Sequence, residues 1–199
     1  NFVSERDELT QIKNRRGFME QAMEMNHVYK NRKAIILFAD MDGLKQINDN
    51  YGHAAGDIAI CACADILKKA AGVHGIAGRL GGDEFALMMI GDETRAIELV
   101  ETVRKEIAMY NAQGKNKFVI DMSVGCQIVL CTDELSIPMV LEKADKIMYE
   151  EKKIMFYLAL VYSFFGHSFT CCRFYRCPGS ICQQYFHRME NLRRKKILL

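Results

Sequence analysis

The sequence predicts an α+β fold, with helices packed on a largely antiparallel sheet. Three observations carry that expectation. Ala34 to Ala39 is a continuous apolar run with the length of a strand buried on both faces. Two strand-like segments, Ile76 to Leu80 and Phe85 to Ile90, flank Gly81-Gly82-Asp83-Glu84 and read as a tight hairpin. Glu93 to Tyr110 is amphipathic, with Ile97, Val100, Val103 and Ile107 at helical spacing while Glu98, Glu101 and Lys105 face away.

The remaining elements follow in chain order. Thr10 to Val28 reads as a helical lead-in, and Leu44 to Asn50 as a short helix after the first strand. His53 to Ala71 is a longer helix with Ile58, Ala62, Ala64, Ile66 and Leu67 along an apolar face. Phe118 to Met122 and Gly125 to Leu130 are expected to be two separate strands. Pro138 marks the start of a last helix, with Val140, Leu141, Ala144, Ile147 and Met148 on one side.

Length and charge narrow the function. At 199 residues one domain with a real core is expected, with room for a short appendage. A net charge of +2 argues against broad attraction to nucleic acid or membrane, and the one basic cluster, Arg193 to Lys196, lies at the C-terminus. The chain starts at Asn1 with a polar, charged stretch, without an initiator methionine, so it reads as a piece of a longer protein without a signal peptide. Cys61 and Cys63 fall in a helix and Cys126 and Cys131 near a strand, where reduced cysteine behaves as a small hydrophobe. Cys171, Cys172, Cys177 and Cys182 crowd the tail at spacings that match no familiar zinc pattern. The expected setting is reducing and cytoplasmic.

Two acidic sites carry the chemistry. Gly81 and Gly82 can supply the positive φ of a hairpin turn and leave room for a ligand near the backbone. Asp83 and Glu84 follow side by side. Adjacent acids repel, so keeping them at a tip argues for a cation. The strand at Ala34 to Ala39 runs into Asp40-Met41-Asp42-Gly43. Carboxylates at a strand end and on a neighbouring hairpin form an oxygen-rich set of the kind that holds Mg²⁺ against phosphates. The plainer alternative is a helix cap at Asp40 and Asp42 and a solvated turn at Asp83 and Glu84.

The chain resembles the GGDEF family of diguanylate cyclases, whose signature stands unaltered at Gly81 to Phe85. The resemblance runs from about Asp7 to Lys152 with several motifs in the family's order. Asp7-Glu8-Leu9-Thr10 and Asn14-Arg15-Arg16 are similar to the opening motif, with Gln11 where glycine is usual. Phe38 to Asp42, Lys45 to Asp49, Tyr51-Gly52-His53 and Gly56-Asp57 resemble the metal and nucleotide segment. Ser123-Val124-Gly125 and Ala144 to Tyr149 resemble the later strand and last helix.

That resemblance implies a ferredoxin-like nucleotidyl-cyclase palm, and condensation of two GTP into cyclic di-GMP and pyrophosphate with Mg²⁺, or Mn²⁺ in its place. It implies carboxylate metal ligands at Asp40, Asp83 and Glu84, with the Met41 carbonyl as a further oxygen. Glu84, with Asp83, is the expected catalytic group, Glu84 assisting deprotonation. Asn48 and Asp57 are expected to read guanine, with His53 beside them. Backbone around Gly43, Leu44 and Gly82, together with Lys45 and Lys152, is expected to meet phosphates. Each domain would bind one GTP, so catalysis implies an antiparallel homodimer, with an N-terminal sensor domain outside this chain. Such a sensor could be membrane-anchored, although no transmembrane segment is expected here. The family's product-inhibition motif, Arg-x-x-Asp, is replaced by Gly72 and Gly75, which predicts no inhibition there.

Residues 1–153 are read as the GGDEF domain and 154–199 as a divergent or artefactual C-terminal extension. Ile154 to Phe165 is almost wholly apolar but too short for a bilayer, which needs about 20 residues. Phe156 stands where the family carries an arginine, and Phe156 to Leu160 is expected to replace its closing strand. That altered end supports a rival reading, a catalytically silent module that binds GTP or a protein partner. A third reading is a related cyclase making a mixed or monomeric cyclic nucleotide.

Overall fold

In the computed structural model, residues 4–164 are described. The elements are β1 (Lys13–Asn14), α1 (Arg15–Val28), β2 (Lys33–Met41), α2 (Leu44–Tyr51), α3 (His53–Ala71), β3 (Ile76–Gly81), β4 (Glu84–Ile90), α4 (Glu93–Ala112), β5 (Met122–Leu130) and α5 (Ile137–Phe164). The sheet order is β1-β3-β4-β2-β5. Among the described residues the β1–β3 pairing is parallel and the other three strand pairings are antiparallel.

Strand parity builds two cores. Ile35, Leu37, Ala39 and Met41 of β2 join Phe85, Leu87 and Met89 of β4 beneath α2, α3 and α4. Ala34, Ile36 and Phe38, with Ala86 and Met88, pack beneath α1 and α5 on the opposite face. Alternate side chains point to opposite faces of a strand, so a strand buried on both sides is apolar without interruption. The run at Ala34 to Ala39 does that.

Close approach of helix to sheet is set at Gly125. A Cβ there would lie 1.9 Å from the Ala144 carbonyl oxygen and 2.7 Å from the Met148 nitrogen. Glycine lets α5 sit directly on β5, and this fixes where the next turn of α5 emerges.

Three expectations are corrected. The first helix begins at Arg15, not Thr10, because Thr10 is held in a turn. Asp7 Oδ1 accepts hydrogen bonds from the Thr10 backbone at 2.9 Å and from its hydroxyl at 2.7 Å, and Asn14 caps the helix by accepting from the Gly17 N–H. Residues 118 to 121 form no strand, so Met122–Leu130 is a single one. Asn111 satisfies both backbone groups of Ile120, at 2.8 and 2.9 Å, in place of a neighbouring strand. Phe156 to Leu160 is helical, inside α5. From Met139 to Phe164 no glycine or proline interrupts the chain, so nothing stops the helix. The tail cysteines lie outside the described residues, while Cys61, Cys63, Cys126 and Cys131 are free thiols as expected. Burial pushes the Cys126 thiol up to about 12, so it is inert packing.

Candidate active site

The site is assembled at the end of β2. Asp40 is the register partner of Glu84 on β4 and of Ser123 on β5. The Met41 N–H donates to the Asp83 carbonyl at 2.9 Å. The strand end and the hairpin turn are therefore fastened together by backbone hydrogen bonds. Because Ala39 and Met41 face the α3–α4 core, Asp40 points to the other face, towards α1 and α5. Cross-strand partners share a face, so Glu84 points the same way.

The two helices on that face each supply a cation. Lys152 of α5 places Nζ 2.5 Å from Asp40 Oδ1 and 3.3 Å from Asp42 Oδ1. Arg15 of α1 lies 3.6 Å from Glu84 Oε2, while its Nε donates to the Leu80 carbonyl at 2.9 Å. Asp42 is also held by the Ser123 hydroxyl, which donates to its two oxygens at 2.8 and 3.1 Å. Burial, the largest influence, lifts the Asp40 carboxyl above its ordinary value. Lys152 pulls against that, and the charges of Asp83 and Asp42 add to the rise. The Lys152 ammonium is itself held above its usual value: burial opposes its charge, and Asp40 and Asp42 outweigh it.

The hairpin turn is narrow. Gly81 pairs with Glu84, leaving Gly82 and Asp83 as its two turn residues, with Gly82 at φ +46°. A positive φ at the first turn position favours glycine. Arg79 braces the turn from below, its Nε donating to the Gly82 carbonyl at 2.9 Å. The same guanidinium lies 3.1 and 3.4 Å from the two Asp7 oxygens. Neither Arg79 nor Arg15 was singled out from the sequence; the signal lay in the opening motif, whose Asp7 and Asn14-Arg15 are now seen to contact the hairpin strand. Ser123 was likewise given no site role, although it lies in a quoted motif, and Asp42 was counted only among the strand-end carboxylates.

The other expected residues occupy the α2–α3 corner. Gly43 caps α2 at φ +75°, and α2 has no side-chain cap, so its first-turn N–H groups are open to an anion. Leu44 is half-buried there, and Lys45 is exposed. Asn48 is half-buried against Gly56; a Cβ at that glycine would lie 2.0 Å from Asn48 Oδ1. Asp57, one residue on, is exposed, as is His53 at the start of α3. The corner is thus an open shelf rather than a buried pocket. An open groove of about 410 Å³ lies elsewhere, beside Asp7, Asn14, Arg15, Arg79 and Gly82, and includes none of Asn48, Asp57 or Lys152.

Among the described residues no three His, Cys, Asp or Glu side chains are arranged as a ready metal cage. The Asp40, Asp83 and Glu84 carboxylates and the Met41 carbonyl offer oxygen atoms only, the donor type that magnesium takes.

The sequence matches the family described as "Diguanylate cyclase, GGDEF domain" over residues 4–156. The chain belongs to that family. It is 34% identical over 151 residues to an uncharacterized 19.3 kDa protein from the repSA 5′ region of Streptomyces ambofaciens, covering 74% of this chain and 78% of that one. Diguanylate cyclase A of Treponema denticola is 33% identical over 159 residues, covering 74% of this chain but only 41% of its own length. The crystal structure of diguanylate cyclase SiaD from Pseudomonas aeruginosa, in complex with its activator SiaC, superposes with a TM-score of 0.66. Its identity is 25%, over 75% of this chain and 58% of SiaD. The GGDEF domain of DgcB from Caulobacter crescentus, in complex with c-di-GMP, gives a TM-score of 0.65 at 24% identity, over 77% of this chain and 90% of that one. These likenesses establish the nucleotidyl-cyclase palm, and the chain spans less than half the length of the diguanylate cyclase relative it matches.

Proposed function

We propose that this chain is a catalytically competent diguanylate cyclase domain, condensing two GTP into cyclic di-GMP and pyrophosphate across a homodimer. The observation that supports this best is the register of Asp40 with Glu84, locked by the Met41–Asp83 backbone hydrogen bond. It gathers the signature acids at one strand end with no substitution among them.

The 3′-hydroxyl of one GTP must attack the α-phosphorus of the other, releasing pyrophosphate. A bound Mg²⁺, or Mn²⁺, would lower the pKa of that hydroxyl and offset charge building on the phosphate oxygens. Asp40, Asp83, Glu84 and the Met41 carbonyl would hold it. Glu84 takes up the hydroxyl proton, directly or through solvent. The open N–H groups after Gly43, with Lys45 and Lys152, bind phosphate oxygens, and the exposed Gly82 leaves space for them. Asn48 and Asp57 read guanine: the carboxylate accepts from the N1 and N2 hydrogens that adenine lacks, and the amide both donates and accepts. His53 borders the base. Each domain carries one GTP, so two domains must face each other. Gly72 caps the end of α3 and Gly75 lies against the Ala71 carbonyl, so no charged pair is available there for product inhibition. A sensor on the N-terminal side would set the dimer, and a cytoplasmic location fits a GTP-consuming domain.

Incubation with GTP and Mg²⁺ at high protein concentration, followed by chromatography, tests the reading. Cyclic di-GMP is the expected product. Its absence, with GTP still bound, would favour the silent module, whose support is the uninterrupted α5 where the family carries a basic segment. Products from ATP would indicate a mixed or monomeric cyclase.

A further inference from the structure

Resting on the cyclase reading, we propose that Lys152 is an internal cation of the acidic strand end. It neutralises Asp40 and Asp42 in the ligand-free domain and leaves them when GTP phosphates draw it away. Nucleotide loading then frees Asp40 for the divalent ion.

Position and reach both support this. Gly125 seats α5 against β5 at Ala144 and Met148. Lys152 stands one turn beyond Met148, so packing, not chance, delivers it to the face onto which Asp40 points. Its Nζ contacts both carboxylates, at 2.5 and 3.3 Å. Asp42 is kept in place by Ser123, whose hydroxyl donates to both its oxygens. Two carboxylates thus share one ammonium, and one of them is Asp40, which would also hold the divalent ion. The lysine side chain is 31% exposed, so it can swing outward on its four-carbon stem without disturbing the core. Triphosphate oxygens carry more charge than a carboxylate pair and compete for the same ammonium. Metal and nucleotide binding are then coupled through one side chain, a coupling that is reciprocal by linkage.

The test separates the two ligands. Mn²⁺ binding to the full chain without nucleotide is titrated by electron paramagnetic resonance for the wild type, Lys152→Met and Lys152→Arg. Lys152→Met should bind Mn²⁺ about tenfold more tightly, since a competing charge next to the ion is gone; Lys152→Arg should stay near wild type. Calorimetry with α,β-methylene-GTP and Mg²⁺ should show weaker nucleotide binding by Lys152→Met, an effect of the opposite sign. A lysine that merely braces α5 would shift neither affinity in this way, and Lys152→Gln repeats the measurement should the methionine variant fail to fold. Unchanged or weaker Mn²⁺ binding by the neutral variants would overturn the proposal and leave the cyclase reading intact. Adding Asp40→Asn to Lys152→Met should abolish the tight Mn²⁺ binding. If it does not, the carboxylate site itself is misassigned.

Discussion

Arg79 and Asp7 meet in a half-buried ion pair 3.1 Å long, and the same guanidinium holds the carbonyl of Gly82 in the signature turn. Seventy-two residues separate the partners in sequence. The opening segment therefore acts on the hairpin directly, as a brace under the turn that carries Asp83 and Glu84. Its side chains are only 14% and 23% exposed, so the pair is sheltered from much of the screening that makes surface ion pairs weak.

Arg79→Ala should destabilise the domain by about 2 kcal/mol, because it strands a sheltered carboxylate and a turn carbonyl. Arg79→Lys should recover less than half of that, since one ammonium cannot serve two directions as the planar fork does. Urea unfolding of the three proteins measures both effects. Full recovery by lysine would show that charge alone matters at this position.

The same pair gives a pH dependence. Burial, the largest single influence, raises the Asp7 carboxyl, but hydrogen bonds from Thr10 and Arg79 hold it below its ordinary value of 3.8. A depressed folded value stabilises the protein above the unfolded value and is lost as pH falls through the folded one. The stability difference between wild type and Asp7→Asn should therefore be constant near neutrality and shrink below about pH 3.8. Denaturant titrations from pH 7 down to pH 2 measure it. A difference that persists unchanged to pH 2 would count against the ionised pair.

Glu84→Gln should lower cyclic di-GMP production by about 10² or more, the range expected on removing a proton acceptor. Its melting temperature should stay close to wild type, because among the described residues the Glu84 carboxylate has only the 3.6 Å contact with Arg15 to lose. Product chromatography and thermal melts are the paired measurements, and undiminished turnover would remove Glu84 from the mechanism.

Gln11 occupies left-handed backbone at φ +59°, at the position where the family usually has glycine. Its side chain repays part of the strain by donating to the Glu8 carbonyl at 2.7 Å, on the surface. Gln11→Gly should raise stability by about 0.5 kcal/mol, the relief of left-handed strain slightly exceeding glycine's entropy in the unfolded chain. A lower melting temperature for the variant would show that the Glu8 contact outweighs the strain.

Most helices and the central strands were legible because their burial is periodic. The run from Ala34 to Ala39 announced a two-sided strand, and the spacing of Val103 and Ile107 announced α4. Where local hydrogen bonding competes with periodicity, the sequence misled. Asp7 draws Thr10 into a turn instead of a helix, and Asn111 takes the backbone of Ile120 out of strand pairing. At the C-terminal side, an apolar run read as a strand stays helical because no breaker precedes it.

Composition and motif order alone determined the family, the acids of the signature and the oxygen character of the site, since those depend on which residues are present. Only the folded chain decided which of them meet. Strand parity turns Asp40 and Glu84 to one face, and a missing side chain at Gly125 brings Lys152 down onto it. The Lys152–Asp40 contact joins residues 112 positions apart, and no local pattern encodes a distance that only packing sets.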